Sequence, residues 1–398
     1  MLSENFKTER ARAASSPEAA LLLACSRLRM RDEDRLQLQA ALDSGLNWNL
    51  LLSLARFHGL IALMHKHLRE EFSGKVPAGI MAQLREEAGA TARKNLGLSA
   101  ELMALLRLFA DHGIPVLPLK GPVLAEYIYG SVGLRRMRDL DLLFKDSDIL
   151  RAVELLQARG YENQYPLPAV LDEIDRRYNH HLVFLSPRDG HLVELHRCMV
   201  GARRKRYDLE AILGRTQPAS FMGIPIVTFS PEDLLVYLCE HGSNHVWYRL
   251  EWLCGIAELL RSGRIESWDR VLEFASQLDA QKRVRTSLWI AHQLLDAPVP
   301  EEMLVLDRFR KRTAHSVIVR FLTEPGRWPT TIDMVLYLLL TEDGLVAALH
   351  RIWMYVPPSV GDVRSMPLPR LLWPAYYLLR PFRLVIRHGR RVLGGLDR

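Results

Sequence analysis

The feature of this sequence that most constrains its fold is a change of hydrophobic period in the middle of the chain. Ahead of it, apolar residues recur every three to four positions, as at Leu50 and Leu54, which predicts helices over 17–112. Between 113 and 229 the apolar runs are short and bounded by polar residues, and the helical spacing returns from Pro231. The sequence therefore predicts an α+β fold in which helical regions flank a small α/β core.

The elements expected in the middle region alternate strand and helix and end in a hairpin. They are a strand at 116–119, a helix from Pro122 to Tyr129, a strand at 139–144, a helix capped by Asp146, Ser147 and Asp148 that runs to Arg159, and a hairpin of 181–185 and 191–196. We accordingly divide the chain into an N-terminal helical region (1–112), the α/β core (113–229), a C-terminal helical domain (230–360) and a basic amphipathic tail (361–398).

Composition excludes several classes of protein. Among the 398 residues, 48% are apolar and 25% charged, which is globular usage and excludes a wholly disordered chain. The four cysteines are scattered and form no CxxC pair, so we expect neither a disulfide framework nor a thiolate zinc site, as suits a reducing cytoplasm. The net charge of +7 permits anionic partners without selecting one.

No apolar run approaches the roughly 18 residues of a membrane span. The run AALLLAC at 19–25 is interpreted as part of a helix that Ser16 caps and Pro17 begins, because acidic residues precede and enter it. We expect a cytoplasmic protein without a transmembrane segment.

Asp139 and Asp141 are two residues apart on a predicted strand, so their carboxylates project from the same face. Neighbouring carboxylates repel each other unless a cation neutralises them, and Mg²⁺ commonly binds one or two carboxylates together with substrate phosphates. Glu194 is an acid in an otherwise apolar strand, where an unpaired charge is costly. The three acids are therefore the candidate metal ligands.

Other groups suit the phosphates of a nucleotide. Lys120-Gly121 lies between a strand and a helix, where a glycine lets phosphate approach the backbone and the helix N-terminus supplies N–H donors. Arg135 could add positive charge. His196 shares a strand face with Glu194, either as a positioning group or general base or as a structural histidine.

The stretch LKGPVLAEYIYGSVGLRRMRDLDLLF (119–144), followed by RGY (159–161) and VELH (193–196), resembles a bacterial family of uncharacterised nucleotidyltransferases in the DNA polymerase β superfamily. The resemblance extends over most of the chain, through SPEDLLVYLCEHGSNH (230–245) to YYLLRPFRL (376–384). It implies a small mixed-sheet core of the polymerase β type.

The resemblance also implies roles for individual residues. Asp139 and Asp141 match the paired metal ligands and Glu194 the third acid. Lys120-Gly121 takes the place of the family's Gly-Ser phosphate turn, which removes a serine hydroxyl, and Gly255 stands where relatives often carry an aspartate. The remaining expected nucleotide contacts are Arg135, Arg138, His196 and His241.

These residues predict an Mg²⁺-dependent enzyme that transfers NMP from an NTP to a hydroxyl acceptor and releases pyrophosphate, with two ions bound. A phosphotransferase with the same metal site and a non-catalytic nucleotide-binding protein remain alternatives. The acceptor stays open among small molecules, peptides and proteins. Nucleic acid is not favoured, because few aromatic residues accompany the basic run at 203–206.

Two further features each allow a structural and a functional interpretation. His241 and His245 share a helix face, but no third zinc ligand is evident, so packing or a substrate contact by His241 is preferred. The C-terminal tail, interrupted by Pro374 and Pro381, is expected to dock on the helical domain, with weak contact to a membrane surface as the alternative.

Overall fold

The computed structural model describes residues 16–164, 181–199, 209–307 and 329–342, with isolated positions between 311 and 379. It is a mixed α+β structure, as the sequence predicts. Within the described residues, no helix is long and apolar enough to span a membrane.

The first five helices precede the sheet. Ser16 accepts a hydrogen bond from the Ala19 amide and so caps the first helix, as predicted. The last of the five has 34 residues and ends just before Gly113. Their bounds are α1 Pro17–Ala24, α2 Asp32–Asp43, α3 Trp48–His58, α4 Ile61–Glu71 and α5 Ala78–Asp111.

The middle region forms a five-stranded mixed sheet in the order β1-β2-β5-β4-β3. β2 and β5 run parallel, and the other neighbours are antiparallel. The elements are β1 Val116–Pro118, α6 Pro122–Tyr129, β2 Asp139–Phe144, α7 Ile149–Ala158, β3 Glu162–Asn163, β4 His181–Leu185 and β5 Leu192–His196. The predicted order of strands and helices is confirmed, although the Asp148 side chain makes no capping hydrogen bond.

A separate hairpin was not predicted. After α8 (Leu209–Gly214), β6 (Gln217–Phe221) and β7 (Ile224–Thr228) pair around Met222-Gly223, both with positive φ. Pro218 and Pro225 lie within these strands, and proline there hides the usual strand signal. The hairpin has no partner strand in the five-stranded sheet.

The helical spacing after Pro231 corresponds to α9 Pro231–Asn244, α10 Leu250–Arg261, α11 Trp268–Gln277, α12 Gln281–Leu295 and α13 Thr331–Thr341, with short 3₁₀ turns at Ser73–Lys75 and Glu301–Leu304. Ser230 caps α9 by accepting from the Asp233 amide. The division of the chain into four regions stays a prediction.

Two apolar cores lie on opposite faces of the sheet. Leu140, Leu142 and Val193 pack with the C-terminal half of α5 in one core. Leu143 packs in the other, which also contains residues of α1–α4 and α9–α12. Because strand side chains alternate, the face that carries Leu143 also carries the acids of β2, and these therefore lie between the sheet and the helices.

Candidate active site

The strand register brings the predicted acids together. In the parallel pair β2–β5, Asp141 lies opposite Glu194 and Leu143 opposite His196. With the period of two, Asp139, Asp141, Glu194 and His196 project from one face. The sequence predicted the two faces, but the pairing of β2 with β5 places the third acid beside the first two.

Two cationic groups contact these acids. The His196 Nε2 atom lies 3.0 Å from Asp141 Oδ1 and 3.3 Å from Glu194 Oε2. The Lys120 Nζ atom lies 3.2 Å from Asp141 Oδ2 and 3.5 Å from Asp139 Oδ1. Asp141 is thus the centre of the cluster, with one cation on each carboxylate oxygen.

The two aspartates have opposite pKa shifts. Burial and the neighbouring Asp141 charge raise the pKa of Asp139 to about 6. Burial would also raise the pKa of Asp141, but Lys120 and the hydrogen bond from His196 hold it well below its ordinary value. Asp141 is therefore firmly ionised, whereas a negative charge on Asp139 is unfavourable until another cation approaches.

His196 carries a proton in this arrangement. Burial would lower its pKa, but the hydrogen bonds with Asp141 and Glu194 raise it to about 9. The same bond to His196 outweighs burial at Glu194 and lowers the pKa of that carboxyl. The protonated imidazole and the Lys120 ammonium together thus offset the charges of Asp141 and Glu194.

The donor set fits a divalent cation. Asp141 Oδ2 is buried and accepts no hydrogen bond, since its contact with Lys120 is an ion pair only. One ligand atom each from Asp141, Glu194 and His196 lies within 4.8 Å of the others. This group contains two of the three predicted metal ligands, Asp141 and Glu194, together with His196, and Asp139 is not part of it.

Asp139 instead lies on the wall of a cleft of about 150 Å³ beside the acids. Most of the predicted nucleotide-binding residues line the same cleft, namely Lys120, Gly121, Arg135, Arg138 and His241. Gly121 has φ 78° and ψ −137°, a conformation that favours glycine, and precedes the N-terminus of α6. His196 is the predicted nucleotide contact outside the lining, since it lies deeper, against Asp141.

The cleft wall has an excess of positive charge. Arg135 is 8% exposed, and no carboxylate of the described residues forms an ion pair with it. Burial and the nearby Arg249 lower the pKa of Arg136, which donates a hydrogen bond to the Arg56 carbonyl oxygen. An arginine whose charge is disfavoured by burial and by a second arginine is a group that an anion would stabilise.

An aromatic wall also lines the cleft, and sequence analysis missed it. The His245 and Trp252 rings stack with centroids 4.9 Å apart, and Tyr248 meets Trp252 edge-on at 4.8 Å. Burial and the nearby Lys120 lower the pKa of His245 to about 4, so its ring is neutral at pH 7. The dense run HVWYRLEW (245–252) was the available signal.

The remaining predictions have mixed outcomes. The His241 and His245 rings are 4.9 Å apart, but Asp141, Glu194 and His196 are the only group with metal-ligand spacing in the described part of the chain. A Cβ atom built at Gly255 has no neighbour within 4 Å, so there is room for a side chain at this position. The basic run at 203–206 and most of the C-terminal tail lie outside the described residues.

Comparison with known proteins matches the chain to a family. The sequence model described as "Uncharacterised nucleotidyltransferase" matches residues 44–296. No curated protein has significant sequence similarity to the chain. Among solved structures, the solution structure of the antibiotic-resistance factor ANT(2″)-Ia is similar at 14% identity and a TM-score of 0.34, covering 46% of this chain and 94% of that one.

The family model spans more than half of the chain and contains the strands, the acids and the cleft described above. The chain therefore belongs to the family of uncharacterised nucleotidyltransferases.

Proposed function

We propose that this nucleotidyltransferase transfers NMP from an NTP to a hydroxyl acceptor, depends on Mg²⁺ and releases pyrophosphate. One observation carries the proposal. Three carboxylates on adjacent strands lie next to a cleft whose wall bears Lys120, Arg135 and Arg138. Carboxylates that hold cations, beside cationic groups that bind phosphates, are the parts needed for transfer at a phosphorus atom.

Asp139, Asp141 and Glu194 would hold the metal. Two Mg²⁺ ions, when bound, would lower the pKa of the acceptor hydroxyl and neutralise the charge that develops on pyrophosphate. The side chain of Asp139 is 26% exposed and that of Asp141 is 2% exposed. Asp139 is therefore the acid positioned to meet a metal that arrives with the nucleotide, while Asp141 anchors the inner position.

Lys120 would exchange partners during binding. Its ammonium now neutralises Asp139 and Asp141. With a metal ion held by Asp139 and Asp141, the ammonium would be free to bind a phosphate oxygen in the cleft. The absence of a Cβ at Gly121 lets phosphate approach the backbone, and the N-terminus of α6 adds N–H donors.

The aromatic wall would receive the nucleoside. At about 150 Å³ the cleft is smaller than the roughly 300–1,000 Å³ of typical small-molecule pockets, so it suits a phosphate chain better than a whole nucleotide. The stacked His245–Trp252 pair provides a flat surface beside it, and stacking of a base on an aromatic ring contributes about 1–3 kcal/mol.

The first test is thermal unfolding with ATP, GTP, CTP or UTP, each with and without Mg²⁺. A ligand that binds only the native state increases the free energy of unfolding, by about 2.7 kcal/mol at a ligand concentration of 100 times Kd, and so raises the unfolding midpoint. We expect an Mg²⁺-dependent rise with at least one nucleotide. The double variant Asp139→Asn/Asp141→Asn should lose it, and the exposed control Asp111→Asn should keep it. A wild-type protein that responds to no nucleotide contradicts the proposal.

The second test determines which phosphate group of the nucleotide is transferred. With the responding nucleotide labelled at the α- or the γ-phosphate, nucleotidyl transfer places the α-label on the acceptor and the γ-label in the released pyrophosphate. Transfer of the γ-label instead would identify a phosphotransferase with the same metal site.

A further inference from the structure

We propose that His196 is itself a metal ligand. It would complete an inner site with Asp141 and Glu194 that prefers a divalent transition-metal ion over Mg²⁺. The inference rests on the proposed function, since it concerns the cation held by the same acids. It goes further in naming an imidazole ligand and the class of ion that such a ligand selects.

The spacing of the ligand atoms supports this assignment. Ligands about 2.0–2.2 Å from one ion, at angles between 90° and 109°, lie about 2.8–3.6 Å from each other. His196 Nε2 lies 3.0 Å from Asp141 Oδ1 and 3.3 Å from Glu194 Oε2. An ion in place of the Nε2 proton would therefore meet the nitrogen and both oxygens with small side-chain adjustments.

The position of Asp139 supports it as well. Asp139 lies on the cleft wall, where Lys120 is its charged partner, and it is not in the group that has ligand spacing. The strand register explains this, because Asp139 pairs with Leu192 whereas Asp141 pairs with Glu194. Asp139 on the cleft wall thus lies two residues along β2 from Asp141, which meets Glu194 and His196 of β5.

The donor chemistry determines the preference. Mg²⁺ strongly prefers oxygen ligands, whereas imidazole nitrogen suits later divalent ions, whose affinity increases from Mn²⁺ to Cu²⁺. One nitrogen and two carboxylates accept Mn²⁺ readily, which makes it the probe of choice. If His196 only donated a hydrogen bond, the ion would contact oxygen alone and Mg²⁺ would lose this disadvantage.

The deciding experiment is pulsed electron paramagnetic resonance of Mn²⁺ bound to the full chain without nucleotide. We expect nitrogen modulation from a directly coordinated imidazole. His196→Gln keeps a hydrogen-bond donor near the Nε2 position but removes the imidazole, so the modulation should vanish. His181→Gln is the matched control, because His181 lies on β4 with its Nε2 3.7 Å from the same Glu194. It should keep the signal.

Calorimetric titration gives an independent readout. The wild type should bind Mn²⁺ at least tenfold more tightly than Mg²⁺, and this ratio should fall severalfold in His196→Gln but not in His181→Gln. If His196→Gln fails to fold, a wild-type spectrum without nitrogen modulation still overturns the inference, and modulation that persists in His181→Gln still excludes the other histidine beside Glu194.

The outcomes separate the two proposals. Bound Mn²⁺ without nitrogen modulation overturns the role of His196 and leaves the proposed function standing. A signal that survives in His196→Gln but not in His181→Gln overturns the assignment to His196. If Mn²⁺ binds neither with nor without nucleotide, the metal-dependent function fails together with this inference.

Discussion

Two buried clusters of charge in this protein are built differently. In the helical bundle, the Arg283 guanidinium on α12 donates hydrogen bonds to both Glu240 and Glu342, and all three side chains are at most 4% exposed. In the candidate site the acids meet a lysine ammonium and an imidazole, and the exposed edge of Asp139 lies in the cleft. The first cluster is closed, and the second is open on one side.

The difference teaches what separates a structural cluster from a functional one. A planar guanidinium holds two carboxylates in fixed directions and cannot lose its proton, so its partners do not exchange. An ammonium without a hydrogen bond to its acids can move away when a better cation arrives, and an imidazole can release its proton and stay in place. Burial of charge alone therefore does not mark an active site, whereas exchangeable cations beside a cleft do.

The largest expected effect comes from removing the cation of each cluster. Arg283→Met leaves two buried carboxylates without their guanidinium and should lower the free energy of unfolding by about 3–5 kcal/mol. Lys120→Met should cost clearly less, because Asp139 lines the cleft and the buried Asp141 keeps its hydrogen bond with His196. Urea unfolding measures both, with the exposed Arg270→Met as control.

Added divalent cations should affect the Lys120 and Arg283 variants differently. Adding Mn²⁺ or Mg²⁺ should restore the midpoint of Lys120→Met, by more than it raises the wild type, and should leave the loss in Arg283→Met uncorrected. Equal rescue of both variants would remove the distinction between a closed and an open cluster.

Replacing Asp139 should show that the charge of this carboxylate lowers the stability of the native state. Its folded-state pKa, about 6, is raised above the ordinary 3.8, so its charge destabilises the native state at neutral pH. Asp139→Asn should therefore be more stable than the wild type, on the order of 1–3 kcal/mol at pH 7, while losing the Mg²⁺-dependent response to nucleotide.

The direction of the Asp139 pKa shift determines the pH range over which the stabilities of the variant and the wild type should diverge. Below about pH 4 the carboxyl is protonated in both states and the two proteins should differ little. As the pH rises from about 4 to 6, the unfolded chain releases the proton and the native state retains it, so the advantage of Asp139→Asn grows and then levels off. An advantage that is the same from pH 4 to pH 7 would contradict the assigned origin of the effect. Urea unfolding at each pH provides the measurement.

The last comparison concerns two helical glycines and includes the smallest expected effect, that of Gly255→Ala. Gly255 lies on α10, which borders the cleft, and a Cβ there meets nothing within 4 Å. Gly255→Ala should stabilise by about 0.5–1 kcal/mol through helix propensity. Gly242 lies on α9, which carries Glu240, and a Cβ there would collide with the Trp247 ring, so Gly242→Ala should destabilise by about 1–3 kcal/mol. Thermal and urea unfolding check both, and a destabilised Gly255→Ala would mean that the space beside it is already filled.

Much of the fold was predictable because its signals are local. The bounds of β2, the start of α1 at Pro17 and the turn at Lys120-Gly121 each follow from residues within a few positions. The hairpin β6–β7 was missed because its prolines disguise the alternation. The aromatic wall was missed because His245, Tyr248 and Trp252 come together only where the chain turns between α9 and α10, at Val246 and Trp247 with positive φ.

The sequence by itself determined that Asp139 and Asp141 share a face, because the period of a strand is two whatever its neighbours are. It also determined the family motif and its order along the chain. Only the tertiary structure decided which acids meet, because the parallel pairing of β2 with β5 brings together residues 53 positions apart and sets Asp141 opposite Glu194. The same register brought His196 to Asp141 and left Asp139 on the cleft wall. Register is a property of two strands together, so no pattern within either one contains it.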